Sequence, residues 1–156
     1  MNTDVTIEPA TERDLAGIGA LLAEAGLPTD VAPHVADFLV ARHQGKVVGC
    51  AGMEVRGTDA LFRSLAVAPA YRGAGVGRRL SDALAEQARA KGVQRAYLLT
   101  TTIIPLAESW GFQRTTRDQV PEPIRDTAQF RGECCASAVS MWKALDGQPA
   151  KCCACS

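Results

Sequence analysis

Residues 65–78, LAVAPAYRGAGVGR, carry the most specific pattern in this chain of 156 residues. An apolar run ends at Pro69, three alternating glycines follow, and a long segment with helical apolar spacing begins at Val76. Glycines let successive backbone N–H groups approach a ligand closely, and a helix N-terminus adds unsatisfied N–H groups and a positive dipole end. With Arg72 and Arg78 beside the turn, the segment predicts a strand, loop and helix that bind an anion of diphosphate size.

Other nucleotide-binding loops fit this segment poorly. A Walker A loop ends in Gly-Lys-Ser/Thr, whereas Gly77 is followed by Arg78 and Arg79. A Rossmann fingerprint needs a third glycine where Arg78 stands, and it follows the first strand of its fold, not a middle one. A strand-to-helix turn without a ligand remains the alternative, although three glycines bracketed by arginines make it the weaker interpretation.

Outward from this loop, apolar periodicity predicts a strand, two helices, three strands, a helix, a strand, a helix and two strands, with a short helix before the last strand. The predicted strands are 5–7, 37–42, 46–55, 61–68, 96–101, 112–115 and 136–144, and the predicted helices are 11–25, 29–35, 76–91, 104–110 and 121–130. Strands that alternate with helices imply some parallel pairing in a mixed sheet. We therefore expect one α/β domain over residues 1–145 and a Cys-rich, flexible tail over 146–156.

Composition narrows the class of protein. The chain is 47% hydrophobic and 22% charged, which is typical of a globular domain, and it has 17 basic and 17 acidic residues. This balance argues against nucleic acid as the main partner. The polar N-terminus is unlike a signal peptide, and no apolar run has membrane-spanning length, so we expect a cytoplasmic protein with no membrane partner.

The quoted segment resembles the acetyl-CoA loop of the GNAT family of N-acetyltransferases. Residues 72–77, RGAGVG, match the family's Arg/Gln-x-x-Gly-x-Gly/Ala signature, residues 64–69 match its usual entry, and Trp110-Gly111-Phe112 is similar to the Gly-Phe that ends its penultimate helix. The resemblance covers about residues 5–145. It implies a mixed, mostly antiparallel sheet of six to seven strands with a splayed central parallel pair, flanked by helices, and acetyl-CoA as cosubstrate.

By the same resemblance, the Val67 N–H polarises the thioester carbonyl, as an oxyanion hole does. The residues implied to bind acetyl-CoA are Leu65, Ala66, Val67, Arg72, Gly73, Ala74, Gly75, Val76, Gly77 and Arg78.

A narrower resemblance concerns the acceptor. Residues 97–102 (YLLTTT), 120–125 (VPEPIR) and 135–139 (CASAV), followed by Met141, look like short acetyltransferases associated with arsenic resistance. Those are similar to the acetyltransferase domain of N-acetylglutamate synthase. The resemblance implies a small amine or amino-acid-like toxin as acceptor, with Arg131 and Ser137 as candidate binding residues. A homodimer is compatible with it.

The chain departs from the family pattern at the proton-transfer groups. Many relatives have a tyrosine four residues before the Gly-Phe, as general acid toward the thiolate, and that position is Ala107. The candidates for the general base that deprotonates the acceptor amine are Glu54, His34 and His43. Glu54 is alternatively a solvated carboxylate or a partner of Arg56 or Arg63. The two histidines are alternatively ordinary surface residues.

Arg63 interrupts an apolar strand and, by two-residue alternation, shares a face with Leu65 and Val67. An arginine there is costly unless it is paired, and its partner is either a substrate carboxylate or an internal one.

Six cysteines are present, five of them in the last 23 residues. Adjacent cysteines at one end make a poor disulfide framework, so we expect thiols. The cluster of Cys152, Cys153 and Cys155 is either an idle terminus or a site for a soft metalloid such as trivalent arsenic. We expect no metal site in the domain itself. Two other functions stay open: a CoA-binding sensor with little turnover, and a protein N-acetyltransferase.

Overall fold

The computed structural model describes residues 5–27, 29, 31–73, 75–100, 103–127, 130 and 138–145, and every structural statement here concerns those residues. The strands are β1 Thr6–Pro9, β2 Phe38–His43, β3 Lys46–Arg56, β4 Asp59–Val67, β5 Arg95–Thr100, β6 Gln113–Thr115 and β7 Val139–Ala144. The α-helices are α1 Leu15–Glu24, α2 Val76–Ala90, α3 Ile104–Ser109 and α4 Glu122–Arg125.

Hydrogen bonding orders the strands β1-β2-β3-β4-β5-β7-β6. The pairs β1–β2, β2–β3, β5–β7 and β6–β7 are antiparallel, and β4–β5 is parallel. The parallel ladder joins Asp59–Leu61 to Arg95–Tyr97, although β4 continues to Val67 and β5 to Thr100. The prediction of a mixed, mostly antiparallel sheet of six to seven strands with one parallel pair is therefore confirmed. None of the described helices is both long and apolar enough to cross a membrane.

The chain divides into two compact units, with β3, β4 and α2 each contributing residues to both. Unit 1 takes its described residues from Met1–Glu54 and Phe62–Leu84. Its core packs α1 and the first strands, and it contains Ala10, Ile18, Leu21, Leu22, Val31, Phe38, Val40, Cys50 and Ala66. Ile18 and Leu22 are fully buried, as the helical spacing of the α1 sequence predicts.

Unit 2 takes its described residues from Val55–Leu61 and Ala85–Ser156. Its core joins the start of β4, strand β5 and helix α4, and it contains Leu61, Tyr97, Val120 and Ile124, against which Phe130 and Trp142 pack. The antiparallel ladder between β5 and β7 closes this unit through six residue pairs.

Local sequence signals place most element ends. The Thr11 amide donates to the Asp14 carboxylate at 3.0 Å, which forms part of a capping box at the start of the helix predicted from residue 11. The helix predicted at 29–35 is instead a 3₁₀-helix over Ala32–Asp37, with a proline in its first turn. The last strand begins at Val139, later than predicted, and the 146–156 tail lies outside the described residues.

Candidate functional site

The glycine-rich loop lies between the end of β4 and the N-terminus of α2, as the sequence predicts. Gly73 and Gly75 have φ angles of 82° and 81°, a left-handed conformation that other residues adopt only with strain. A Cβ on either glycine would meet no atom of the described residues within 4 Å, so the loop needs glycine for its backbone conformation and not for space. Helix α2 starts at Val76, where its N-terminus can receive an anion. Ala74 lies outside the described residues.

The two arginines of the loop have different surroundings. Arg72 Nε donates to the Val67 carbonyl oxygen at 3.0 Å, which ties the loop to the end of β4. Arg78 Nε lies 3.6 Å from Asp82 Oδ2 within α2, and both side chains are more than half exposed. An exposed pair of this kind stabilises a helix by only about 0.3–0.5 kcal/mol, so Arg78 can exchange it for another anion at little cost.

A histidine–tyrosine contact supports the same loop from strand β2. His43 Nδ1 and the Tyr71 hydroxyl are 2.6 Å apart, and the two rings meet edge to face. Tyr71 belongs to the 3₁₀-helix Pro69–Tyr71 that immediately precedes Arg72. His43 is thus half-buried and in contact with the residue that precedes Arg72.

Strand β4 changes conformation at Ser64. Its φ of 61° is left-handed, which is unusual for a residue other than glycine and costs of order 1–3 kcal/mol. Two-residue alternation does not continue through such a residue, so the face predicted for Arg63, Leu65 and Val67 is not maintained: Arg63 is buried, whereas Leu65 and Val67 are half-buried. Nothing in the residue type signals this turn of the strand.

The Ser64 conformation is held by two hydrogen bonds. Arg63 Nε donates to Ser64 Oγ at 3.0 Å, and the Cys50 thiol donates to the Ser64 carbonyl at 3.3 Å. Burial raises the pKa of Cys50 to about 12, against a smaller lowering by the Ala66 amide, so the thiol stays protonated and can donate. Cys50 is fully buried in the unit 1 core.

Glu54 and Arg63 form a buried ion pair. Arg63 Nη1 donates to Glu54 Oε2 at 2.5 Å, and the two side chains are 1% and 4% exposed for Arg63 and Glu54, respectively. The interpretation of Glu54 as a solvated carboxylate is therefore wrong, because its side chain is buried and pairs with Arg63 on the neighbouring strand. Of the two partners considered for Arg63, the internal carboxylate is the one present in the structure.

His34 adds a third group to this pair. It lies in the 3₁₀-helix Ala32–Asp37, its Nε2 is 4.0 Å from Glu54 Oε2, and its side chain is 31% exposed. The separation is too long for a hydrogen bond but suits an ion pair when the imidazole is protonated. The sequence analysis gave Arg63 as a possible partner of Glu54, and the structure has that pair, but it did not connect His34 to either residue, because only the fold brings 34 and 54 together.

The remaining predicted residues are placed as follows. Ala107 is fully buried in α3. Arg131, Ser137 and all the cysteines except Cys50 lie outside the described residues. Within the described part of the chain, no three His, Cys, Asp or Glu side chains lie together in a way that could hold a metal ion.

Comparison with known proteins assigns this arrangement to a family. A model of the acetyltransferase (GNAT) domain matches residues 34–114, which is more than half of the chain. The amino-acid acetyltransferase of Neisseria meningitidis serogroup A is 29% identical over 101 residues, covering 64% of this chain and 23% of that protein. That of Mycobacterium tuberculosis is 40% identical over 86 residues, covering 53% of this chain and 49% of that protein.

A solved structure matches more of the fold. The N-acetylglutamate synthase of Neisseria gonorrhoeae, complexed with coenzyme A and N-acetyl-glutamate, superposes with a TM-score of 0.81 at 25% identity, over 94% of this chain and 36% of that one. The chain thus spans less than a quarter of the first curated relative it matches, and about a third of this synthase.

Proposed function

The chain belongs to the GNAT acetyltransferase family, and on that basis we propose that it transfers the acetyl group of acetyl-CoA to the amine of a small, amino-acid-like acceptor. Acetyl-CoA is the expected cosubstrate, because similar structures are solved with coenzyme A. The observation that carries the acceptor class is the match over 94% of the chain to a synthase complexed with coenzyme A and N-acetyl-glutamate.

The glycine-rich loop is the proposed diphosphate site. Amide groups from Gly73 to Arg78 and the N-terminus of α2 would hold the phosphates, and Arg72 would add charge from its position beside Val67. The backbone from Leu65 to Val67, where Leu65 and Val67 are half-buried, would bind the pantetheine and the thioester. The Val67 N–H would then stabilise the negative charge that develops on the thioester oxygen.

The proposal extends to the residues that contact the acceptor. Arg131 and Ser137 are the proposed contacts of an acceptor carboxylate, because the Arg63 side chain is 1% exposed and already pairs with Glu54. A glutamate-like compound or an amino-acid toxin of the kind implied by the arsenic-resistance resemblance would fit such a site, because both present an amine and an acidic group.

A CoA-binding sensor with little turnover is the second candidate. It is favoured by Ala107, which is fully buried where many relatives have a tyrosine as general acid. The loss need not stop turnover, since a coenzyme thiolate is a fair leaving group near neutral pH.

Thiol release from acetyl-CoA separates the two candidates. The purified chain is assayed with L-glutamate, the other amino acids, and their phosphinate and arsinate analogues. We expect steady, acceptor-dependent release with an acidic amino acid or analogue, and an acetylated product by mass spectrometry. Tight acetyl-CoA binding without release for any amine would support the sensor and overturn the proposed transfer. A decarboxylated amine that reacts as fast as its parent amino acid would overturn the carboxylate contact alone.

A further inference from the structure

His34, Glu54 and Arg63 form a line of charged or titratable side chains in unit 1. Exposure rises along the line, from 1% for the Arg63 side chain to 4% for Glu54 and 31% for His34. Glu54 Oε2 is shared, because it accepts from Arg63 Nη1 at 2.5 Å and lies 4.0 Å from His34 Nε2. The carboxylate thus connects a buried cation to a group that solvent can reach.

Glu54 is poorly placed to remove a proton from the acceptor amine. Protonating it would leave the Arg63 guanidinium buried beside a neutral partner, which is strongly unfavourable. At 4% exposure, its oxygens are also closed to an amine that arrives from solvent. A base at this site must therefore lie further out than Glu54.

We propose, on the basis of the acetyl transfer proposed above, that His34 accepts the proton of the acceptor ammonium and that Glu54 is its positioning residue. Imidazole in general changes protonation near neutral pH, the range in which a general base works best. With Nε2 toward Glu54, the carboxylate orients the ring and stabilises the imidazolium, and Nδ1 takes the proton. Arg63 in turn fixes Glu54, so each group is oriented by the next.

The location is consistent with this role. Val35, beside His34, packs against the unit 1 core that includes Ala66, and Ala66 lies in the segment proposed to hold the thioester. Among the residues that the structure describes, Glu54 on β3 lies beside His34, with Arg63 on β4 behind it, and Asp37 ends the same 3₁₀-helix.

The proton and bond changes balance as follows. The ammonium gives one proton to His34, which later releases it to solvent. The amine lone pair then forms a C–N bond to the thioester carbonyl carbon. As the C–S bond breaks, coenzyme A leaves as a thiolate, and the second proton lost by the nitrogen passes to that sulfur. The products are the N-acetylated acceptor, the free thiol of coenzyme A and one proton in solution.

His34→Ala tests the proposal, with L-glutamate or the amino acid that the unaltered chain acetylates fastest. We expect kcat to fall by about 100-fold or more, with unchanged calorimetric affinity for acetyl-CoA. The acid limb of the kcat–pH profile should disappear, and imidazole added to the buffer should restore part of the rate. His43→Ala, the other histidine of the chain, is the matched control and should keep the acid limb.

Glu54→Gln is the second variant. If it folds, shown by its far-ultraviolet circular dichroism, it should lower kcat and leave the calorimetric affinity for acetyl-CoA unchanged, because His34 loses the carboxylate that orients its ring.

Three results would contradict the proposal. First, His34→Ala could have the same kcat and the same acid limb of the kcat–pH profile as the unaltered chain. Second, it could lose rate without imidazole rescue and without a change in the acid limb, which is what a purely structural role predicts. Third, Glu54→Gln could fold and keep the kcat of the unaltered chain, which would remove Glu54 as the positioning residue. If the unaltered chain acetylates no amine at all, the acetyl transfer itself fails, and that result is distinct because it precedes any variant.

Discussion

The buried pair of Glu54 and Arg63 gives the sharpest prediction for stability. Glu54→Gln keeps the shape of the side chain but removes its charge, so the Arg63 guanidinium, 1% exposed, loses the carboxylate to which its Nη1 donates. Breaking one side of a buried ion pair costs about 3–5 kcal/mol. For a domain of about 150 residues, at roughly 2–4 °C per kcal/mol, this corresponds to a loss of about 6–20 °C in Tm.

A matched control and a double variant isolate the effect of burial. Glu108→Gln removes the same charge from a pair with Arg114 at 3.2 Å, where the side chains are 46% and 61% exposed, and should cost no more than about 1 kcal/mol. The double variant Glu54→Gln/Arg63→Met removes both buried charges. It should be more stable than Glu54→Gln alone by at least about 1 kcal/mol, because a buried pair can be replaced by uncharged residues at little cost.

Urea unfolding followed by both fluorescence and circular dichroism measures these differences, and coincident transitions are required before free energies are compared. The reasoning is refuted if Glu54→Gln costs no more than Glu108→Gln. It is refuted equally if the double variant loses the sum of the two single variants, since the two charges would then be energetically independent.

Two further predictions use pairs of glycines. Gly75→Glu should weaken acetyl-CoA binding at least tenfold by calorimetry, because it places a carboxylate in the loop proposed to bind the diphosphate. The control Gly92→Glu imposes a similar backbone strain (φ of 85° against 81°) past the other end of α2 and should leave acetyl-CoA binding unchanged. Equal losses of affinity in the two variants would contradict the assignment. Gly52→Ala should destabilise the chain by about 1–3 kcal/mol, because its Cβ would overlap the ring of the fully buried Phe38. In contrast, Gly19→Ala in α1, with no atom within 4 Å of the new Cβ, should gain up to about 1 kcal/mol, so equal thermal midpoints would be evidence against this packing.

Short-range signals made much of the fold predictable. The capping box of Thr11 and Asp14 needs only a three-residue spacing, and the apolar face of α2 repeats at Val76, Leu80 and Leu84, all of which are buried. The glycines of the loop were predictable for the same reason, because a left-handed backbone has few alternatives to glycine.

The charged part of the candidate site was predictable only as a set of alternatives. A glutamate on a strand is usually exposed, and nothing near Glu54 in the sequence says otherwise. Its burial is decided by Arg63, nine residues away across the β3–β4 turn, and by His34, which approaches from a different element. Tertiary contacts of this kind are not encoded in local spacing.

Ser64 links the buried Glu54–Arg63 pair to the segment of β4 that is proposed to bind the thioester. A left-handed serine inside a strand persists only if its surroundings hold it there, and two hydrogen bonds do so, from Arg63 Nε to its hydroxyl and from the Cys50 thiol to its carbonyl. Arg63 therefore holds Glu54 with one nitrogen and the turned strand with another. Because the segment after Ser64 is the one proposed to bind the thioester, the buried Arg63 guanidinium contributes both to the orientation of that segment and to the position of the proposed base. This dependence explains physically why an arginine interrupts an otherwise apolar strand.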